Sequence, residues 1–286
     1  MTRPRRLLGF IARLSLGLLL GGCLSTLLVR FAPGFGVDER ELDPSLSEAT
    51  RARFRDESTG PGVWSTYGQY LRGALHGDFG YSSSLNTPVS QLVADRAPVT
   101  ARAVAGGLAL AWIFALPLAI ASVLWRTVTV PLVAGSVLLL CLPVGLVAVY
   151  FFLMGLPAAG VIAAGAGPKV FTYLRQLLNA SGQRPHVLGA RARGVRPWRV
   201  LLLHEMVPIA PEVLSLLGVT VVTALGAAIP AEALCDSPGL GQLAWKAAVA
   251  RDTAPLLAMT WLMTGVAFTA NTLGAALADS GRKWRA

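Results

Sequence analysis

Three lysines occur in the chain, Lys169, Lys246 and Lys283, and none follows a glycine. A phosphate-cradling loop of the G-x-x-x-x-G-K-[ST] type is therefore excluded, and any ATP that drives this protein must be bound by another chain. The histidines, His76, His186 and His204, stand far apart in sequence. His204-Glu205 lacks the second histidine, one turn further on, that a zinc-protease helix needs. No G-x-S-x-G nucleophile elbow occurs. Cys23, Cys141 and Cys235 lie in or beside apolar runs and read as buried thiols, too few for a disulfide scaffold. These residues predict a chain with no catalytic site, no metal site and no cofactor of its own.

The densest chemistry lies in residues 184–212. Val187 to Arg193 reads as a short helix carrying Leu188, with small Gly189, Ala190 and Ala192 on its surface and Arg191 and Arg193 between them. Gly194 is a natural helix stop, and Pro197 can begin the next element. Small side chains let a partner surface approach closely, while arginines favour an acidic partner or lipid headgroups. A generic basic loop accounts for this chemistry equally well.

The elements that position these residues are apolar helices. The 286 residues are 54% hydrophobic and 14% charged, where a soluble domain carries roughly 25% charge. A bilayer core about 30 Å thick needs roughly 20 apolar residues of helix. Runs at 7–31, 101–125, 128–154, 156–174, 201–231 and 254–278 predict six spans, the fourth weakened by Pro168 and Lys169. Leu20-Gly21-Gly22-Cys23 resembles a lipoprotein cleavage box, but Leu24 to Val29 stay largely apolar, which favours a full transmembrane helix. Glu212 falls within the fifth run and Glu232 just beyond it, so both are candidates for intramembrane charges with a function. Glu212 could pair with a basic residue of a partner subunit or line a wet cavity. Glu205 reads as interfacial, Arg13 as snorkelling to the inner headgroups, and Pro117, Pro143 and Pro208 as helix kinks.

The charge of +10 divides by side. With the N-terminus inside, residues 1–6, Arg126, 175–199 and 282–285 hold thirteen basic residues and no acid. This positive-inside bias places both termini in the cytoplasm and removes the nucleic-acid reading that a basic chain otherwise invites. The outside segment is acidic and falls into parts. Ala32 to Pro61 lacks periodicity, Tyr70, Leu71 and Leu75 suit a short amphipathic helix ended by Gly77-Asp78, and Gly80 with Ser82 to Ser84 is rich in turns. Val89, Leu92 and Val93 suit another short helix that leads to Pro98. The resulting organisation is a cytoplasmic start and first helix at 1–31, an extracytoplasmic segment at 32–98, a transmembrane core at 99–281 with a cytoplasmic loop at 179–200, and a tail at 282–286.

Gly189-Ala190-Arg191-Ala192-Arg193-Gly194, with His204 ten residues later, resembles the cytoplasmic coupling loop of ABC-transporter permeases. More narrowly, it is similar to the first permease subunit of oligopeptide/dipeptide (and nickel) importers, where T-A-R-A-K-G leads into R-H-A-x-x-N-A-x-x-P. Three further segments agree in order. Gly77-Asp78-Phe79-Gly80-Tyr81-Ser82, then Pro88-Val89, Arg96, Pro98 and Thr100, resembles the outside signature G-D-L-G-x-S…P-V…R-x-P-x-T. Glu232 with Pro238-Gly239-Leu240-Gly241 resembles E-x-x-F-x-x-P-G-L-G, and Ala250-Arg251-Asp252 resembles the A-R-D before the last span. Departures occur at Gly189 (Thr in the family), Pro185-His186 (Asp-Tyr), Pro208 (Asn), Glu212 (Pro), Cys235 (Phe) and Ala275 (an acid). They mark a divergent member.

The resemblance implies an all-α membrane protein with the fold of type I ABC importer permeases. It implies a pore-forming subunit in the bacterial inner membrane, partnered by a second homologous permease, two ATPase subunits that bind ATP and Mg, and an extracytoplasmic substrate-binding protein. Residues Leu188 to Gly194 would contact an ATPase. Glu232 and Asp236 would lie near the outer mouth, within reach of a docked binding protein. Peptides are the implied cargo, with nickel and oligosaccharides as alternatives. Two other classes stay open: a secondary transporter, for which the sequence offers no internal repeat, and a membrane-anchored structural or assembly protein.

Overall fold

A computed structural model describes residues 3–31, 67–68, 70–73 and 77–283. The stretch expected to lack periodicity, Ala32 to Pro61, lies outside these residues, as does Leu75. The chain forms two compact units, one from residues 1–95 and 243–265 and the other from 96–242 and 266–286. Its helices are α1 (Arg3–Phe31), α2 (Val89–Leu124), α3 (Arg126–Cys141), α4 (Val144–Leu153), α5 (Ala158–Gly182), α6 (Pro185–Ala192), α7 (Pro197–Arg199), α8 (Val207–Leu234), α9 (Leu240–Val249) and α10 (Thr253–Lys283). A π-helical segment, Val200–Met206, joins α7 to α8. Strands β1 (Tyr81–Ser82) and β2 (Thr87–Pro88) pair antiparallel, Tyr81 opposite Pro88 and Ser82 opposite Thr87.

Among the described residues, three helices are long and apolar enough to cross a membrane: Val89–Leu124, the continuous run Pro197–Leu234, and Thr253–Asp279. The expected single span at 128–154 is corrected to α3 and α4, bent by 95°. The break falls at Pro143, whose ring disfavours the helical region for the preceding residue. Leu142 accordingly sits at φ −76°, ψ 126°. Counted as one, the bent pair gives a fourth span. The described apolar stretch of α1 is Ile11–Leu24 within a helix of 29 residues, and α5 carries the fourth run with Pro168 inside it, so among the described residues three of the six expected runs meet this standard, or four with the bent pair.

Two further expectations change. The short helix at Val89–Val93 does not end at Pro98 but continues through Pro98 and Pro117 to Leu124. A proline removes one donor from the ladder but does not compel the chain to stop, so the boundary drawn at residue 98 falls inside a helix. Cys141 is exposed and Cys23 and Cys235 are half-buried, so these thiols are not the fully buried set expected.

In the second unit, α5 packs against α8 through two apolar clusters. One gathers Val161 and Ile162 with Ala224, Ala227, Ala228 and Ala231. The other sets Phe171, Leu174 and Leu178 against Ile209 and Leu216, with Ala115 and Ala119 of α2. Small residues dominate the first cluster, as expected where helices associate in lipid through close van der Waals packing, while larger side chains fill the second. On the outside, the apolar windows of the three spans are only 17–33% buried. That leaves a large hydrocarbon surface, which fits a lipid solvent.

Candidate functional site: the foot of the helix Pro197–Leu234

Helix α6 begins at Pro185, whose missing N–H falls where no helical partner exists anyway. It ends at Gly194, whose φ of +76° strains any L side chain. The N–H groups of Gly194 and Val195 then bond back to Arg191 O (3.0 Å) and Ala190 O (3.2 Å). Val187 and Ala190, three residues apart, face inward against Val200 and Val195. Leu188 is 52% exposed, and Ala192, Arg193 and Gly194 are exposed beside it, while Gly189 is half-buried.

Beneath α6 lies the π-helical segment, which joins a local cause to contacts from α5 and α6. A regular helix would bond the N–H of residue 208 to the carbonyl of His204, but Pro208 has no N–H. His204 O instead accepts from His186 Nε2 at 3.2 Å, which requires the tautomer protonated at that nitrogen. One residue on, Glu205 O accepts the Ser181 hydroxyl at 3.0 Å. The Glu205 carboxylate, 1% exposed, binds Arg191 through Oε1 at 2.6 Å. Three side chains from the end of α5 and from α6 thus converge on two consecutive residues. Glu205 is therefore a buried ion-pair partner and not the interfacial residue expected. Its second oxygen, Oε2, is buried without a hydrogen-bond partner among the described residues, as is His204 Nδ1.

Glu232, at the other end of α8, is fully buried. Its Oε2 accepts the Gly241 N–H at 2.7 Å, and Thr100 Oγ1 accepts the Leu240 N–H at 2.7 Å. These N–H groups open α9, where no intrahelical carbonyl is available and the helix dipole favours an anion. A side chain at residue 239 would overlap Glu232 and Thr100, which is why this turn requires Gly239. Pro238 is exposed. The expectation that Glu232 meets a docked protein is corrected, since its carboxylate fastens the Pro238–Gly241 turn from inside. Asp236 is exposed and accepts from Gln242 Nε2 at 2.9 Å. Glu212, half-buried, keeps Oε2 buried and without a partner among the described residues.

In the first unit the segments 77–84 and 250–252 meet. Asp252, 3% exposed, accepts Ser82 Oγ (2.7 Å), Ser84 N (3.0 Å) and Ser84 Oγ (2.9 Å) on a single oxygen. Arg251 precedes it at φ +54°, an αL position that turns the chain from α9 into α10. Asp78 Oδ1 holds the Gly80 N–H at 2.9 Å, and both Gly77 and Gly80 lie at positive φ. Nearby, Tyr67 OH donates to Leu19 O at 2.8 Å, and Tyr70 meets Trp261 edge to face. Burial raises both phenols above their ordinary range, so each stays protonated. Sequence reasoning singled out Asp252 but missed the serine partner at 84. It also missed the pairing of Arg191 with Glu205, for which a lone acid following a run of arginines was the available signal.

Among the described residues, no group of histidine, cysteine, aspartate or glutamate side chains could hold a metal ion. Residues 103–280, more than half of the chain, match the family described as binding-protein-dependent transport system inner membrane component. A Brucella ovis protein named provisionally as a peptide permease is 30% identical over 118 residues, 41% of this chain and 37% of the relative. A Brucella suis biovar 1 protein of the same description matches with the same figures. The match thus spans little more than a third of those relatives' length.

Proposed function

Because the chain belongs to the family of inner membrane components of binding-protein-dependent transport systems, we propose that it forms half of the transmembrane pathway of an ATP-driven importer. A second, homologous permease completes the pathway. Two ATPase subunits bind ATP and Mg on the cytoplasmic side, and a substrate-binding protein delivers cargo from outside. The chain itself is not an enzyme and binds no cofactor. Both termini and the 179–200 loop face the cytoplasm of the inner membrane, a reading supported by thirteen basic residues without one acid in those segments. Peptides are the proposed cargo, supported by the names of the two Brucella relatives.

The observation that carries this reading is the fastening of α6 to the foot of the long helix Pro197–Leu234. An ATPase that pushes on the exposed Leu188, Ala192, Arg193 and Gly194 displaces α6 as a body. The displacement reaches that helix through Arg191–Glu205, Ser181–Glu205 and His186–His204, contacts of hydrogen-bond length with little slack. Through the α5–α8 interface it then passes to the pathway lining, as a rigid-body switch between two packings. Affinity purification of the tagged chain from native membranes tests the proposal. An ATP-hydrolysing subunit and a second permease are expected to co-purify. Their reproducible absence, with transport intact, would overturn it in favour of a secondary transporter.

A further inference from the structure

Arg196, Trp198 and Arg199 take no part in the contacts that hold α6. They project from one tight turn, which Pro197 starts and Arg196 caps. All three are exposed, Trp198 by half. The Arg199 guanidinium carbon lies 5.2 Å from the centre of the Trp198 ring. Stacking of this kind fixes the guanidinium plane and leaves its N–H edge open to a planar or tetrahedral oxyanion. The surroundings supply no such anion. Between residues 175 and 199 the sequence has six arginines and no acid, and the next carboxylate, Glu205, is held by Arg191. Among the described residues, neither Arg196 nor Arg199 has a carboxylate partner.

Directly above this turn the surface becomes hydrocarbon. Leu202, Leu203 and Val207 are 46%, 61% and 51% exposed, and Arg199, Leu203 and Val207 recur every four residues along one side. Guanidinium therefore gives way to bare aliphatic surface within about one turn, or ~5 Å. The run Pro197–Leu234 has 38 residues, about 57 Å of helix against a hydrocarbon core of about 30 Å. Part of it therefore lies outside the core, and the arginines and tryptophan of its first turns mark that end as the one at the depth where tryptophan partitions and arginine finds phosphate.

We infer that Arg196, Trp198 and Arg199 form a binding site for the phosphate of an anionic phospholipid, with its acyl chains lying along Leu202, Leu203 and Val207. The two guanidinium groups clamp the phosphate, and the tryptophan ring sets the depth. The bound lipid anchors the foot of the helix that carries His204 and Glu205, so it steadies the seat on which α6 rests. The inference requires membrane insertion but no ATPase partner, and its failure would leave the proposed transport function untouched.

Native mass spectrometry of the full chain in mild detergent tests it, with equimolar phosphatidylglycerol and phosphatidylcholine of identical acyl chains. Retention of phosphatidylglycerol over phosphatidylcholine is expected. The double variant R196Q/R199Q is expected to reduce that preference on the order of ten-fold, and Trp198→Ala to reduce it less. Removal of the same charge from α6, R184Q/R193Q, is expected to leave it unchanged. Equal loss in R184Q/R193Q, or undiminished preference in R196Q/R199Q, would overturn the site. Displacement of the lipid by millimolar inorganic phosphate would reassign it to a free anion. Loss of the lipid on addition of a co-purified ATPase subunit would reassign it to an acidic protein surface.

Discussion

Asp252 in the first unit and Glu205 in the second are both buried carboxylates, and each ties together segments that the chain keeps apart. Asp252 gathers two hydroxyls and one backbone N–H on a single oxygen. Its donors are neutral and sit on short side chains or on the main chain, so no donor can follow the carboxylate if the segments separate. Glu205 relies on one long side chain, the half-exposed Arg191, and leaves an oxygen unpartnered. Arg191 could rehydrate if the pair parted, but Glu205, 1% exposed, would be left as an unpaired charge out of water, so the pair resists opening. The first arrangement is a fixed clasp. The second is a linkage through a single charge pair, which ties α6 to the long helix only while that pair stays closed.

Four substitutions separate the clasp from the single-pair linkage. Asp252→Ala is expected to have the largest effect, since it strands three donors, one of them buried, at about 1–3 kcal/mol for each that stays out of water. A steep fall in melting temperature and rapid proteolysis between residues 77 and 88 would register it, and unchanged protease resistance would count against the clasp. Next comes Gly239→Ala, whose methyl group overlaps the Glu232 carboxylate and forces the turn open. Overpacking of this kind costs roughly 1–3 kcal/mol, visible as faster hydrogen exchange at Leu240 and Gly241. Unaltered exchange there would refute the role given to Glu232.

Glu205→Gln keeps the shape but removes the charge-assisted bond, worth about 1.5–3 kcal/mol. Substrate-stimulated ATP hydrolysis by the assembled complex is expected to fall on the order of ten-fold, with the chain inserted normally and Glu205→Asp restoring part of the loss. Stimulation at the wild-type level in the glutamine variant would show that α6 does not act through Glu205. The smallest effect belongs to Gly194→Val, which places a branched side chain at φ +76° for about 1–2 kcal/mol. Reduced coupling with preserved insertion is expected, and wild-type coupling would remove Gly194 from the transmission path.

Local punctuation made α6 legible in the sequence. Gly194 and Pro197 mark a stop and a start by rules that need no tertiary partner, while the helix opens at Pro185, two residues ahead of the start expected at Val187. The 95° bend was legible only as a kink, because a proline predicts disruption at Leu142 without giving the direction that packing imposes. The π-helical segment was not legible at all. It depends on Pro208 together with Ser181, His186 and Arg191, and the last three reach it only after α5 and α6 have folded. For the same reason the joining of residues 82–84 to Asp252, some 170 positions apart, could not be read from either motif alone. Glu232 misled because an acid at the end of an apolar run looks available to a partner, and only the fold shows that its own chain has taken it.

A π-turn closes its hydrogen bonds over five residues where an α-turn uses four. The segment Val200–Met206 therefore accommodates about one residue more than a plain helix of the same height. Deleting one residue there would let the ladder close as ordinary helix, and everything below would turn by about 100° relative to everything above. Arg196, Trp198 and Arg199 would swing away from the aliphatic strip, and Glu205 could no longer face Arg191 while α8 kept its seat on α5. The surplus residue is thus a phase setting. It fixes which way the foot of the helix points while the shaft faces its packing partners.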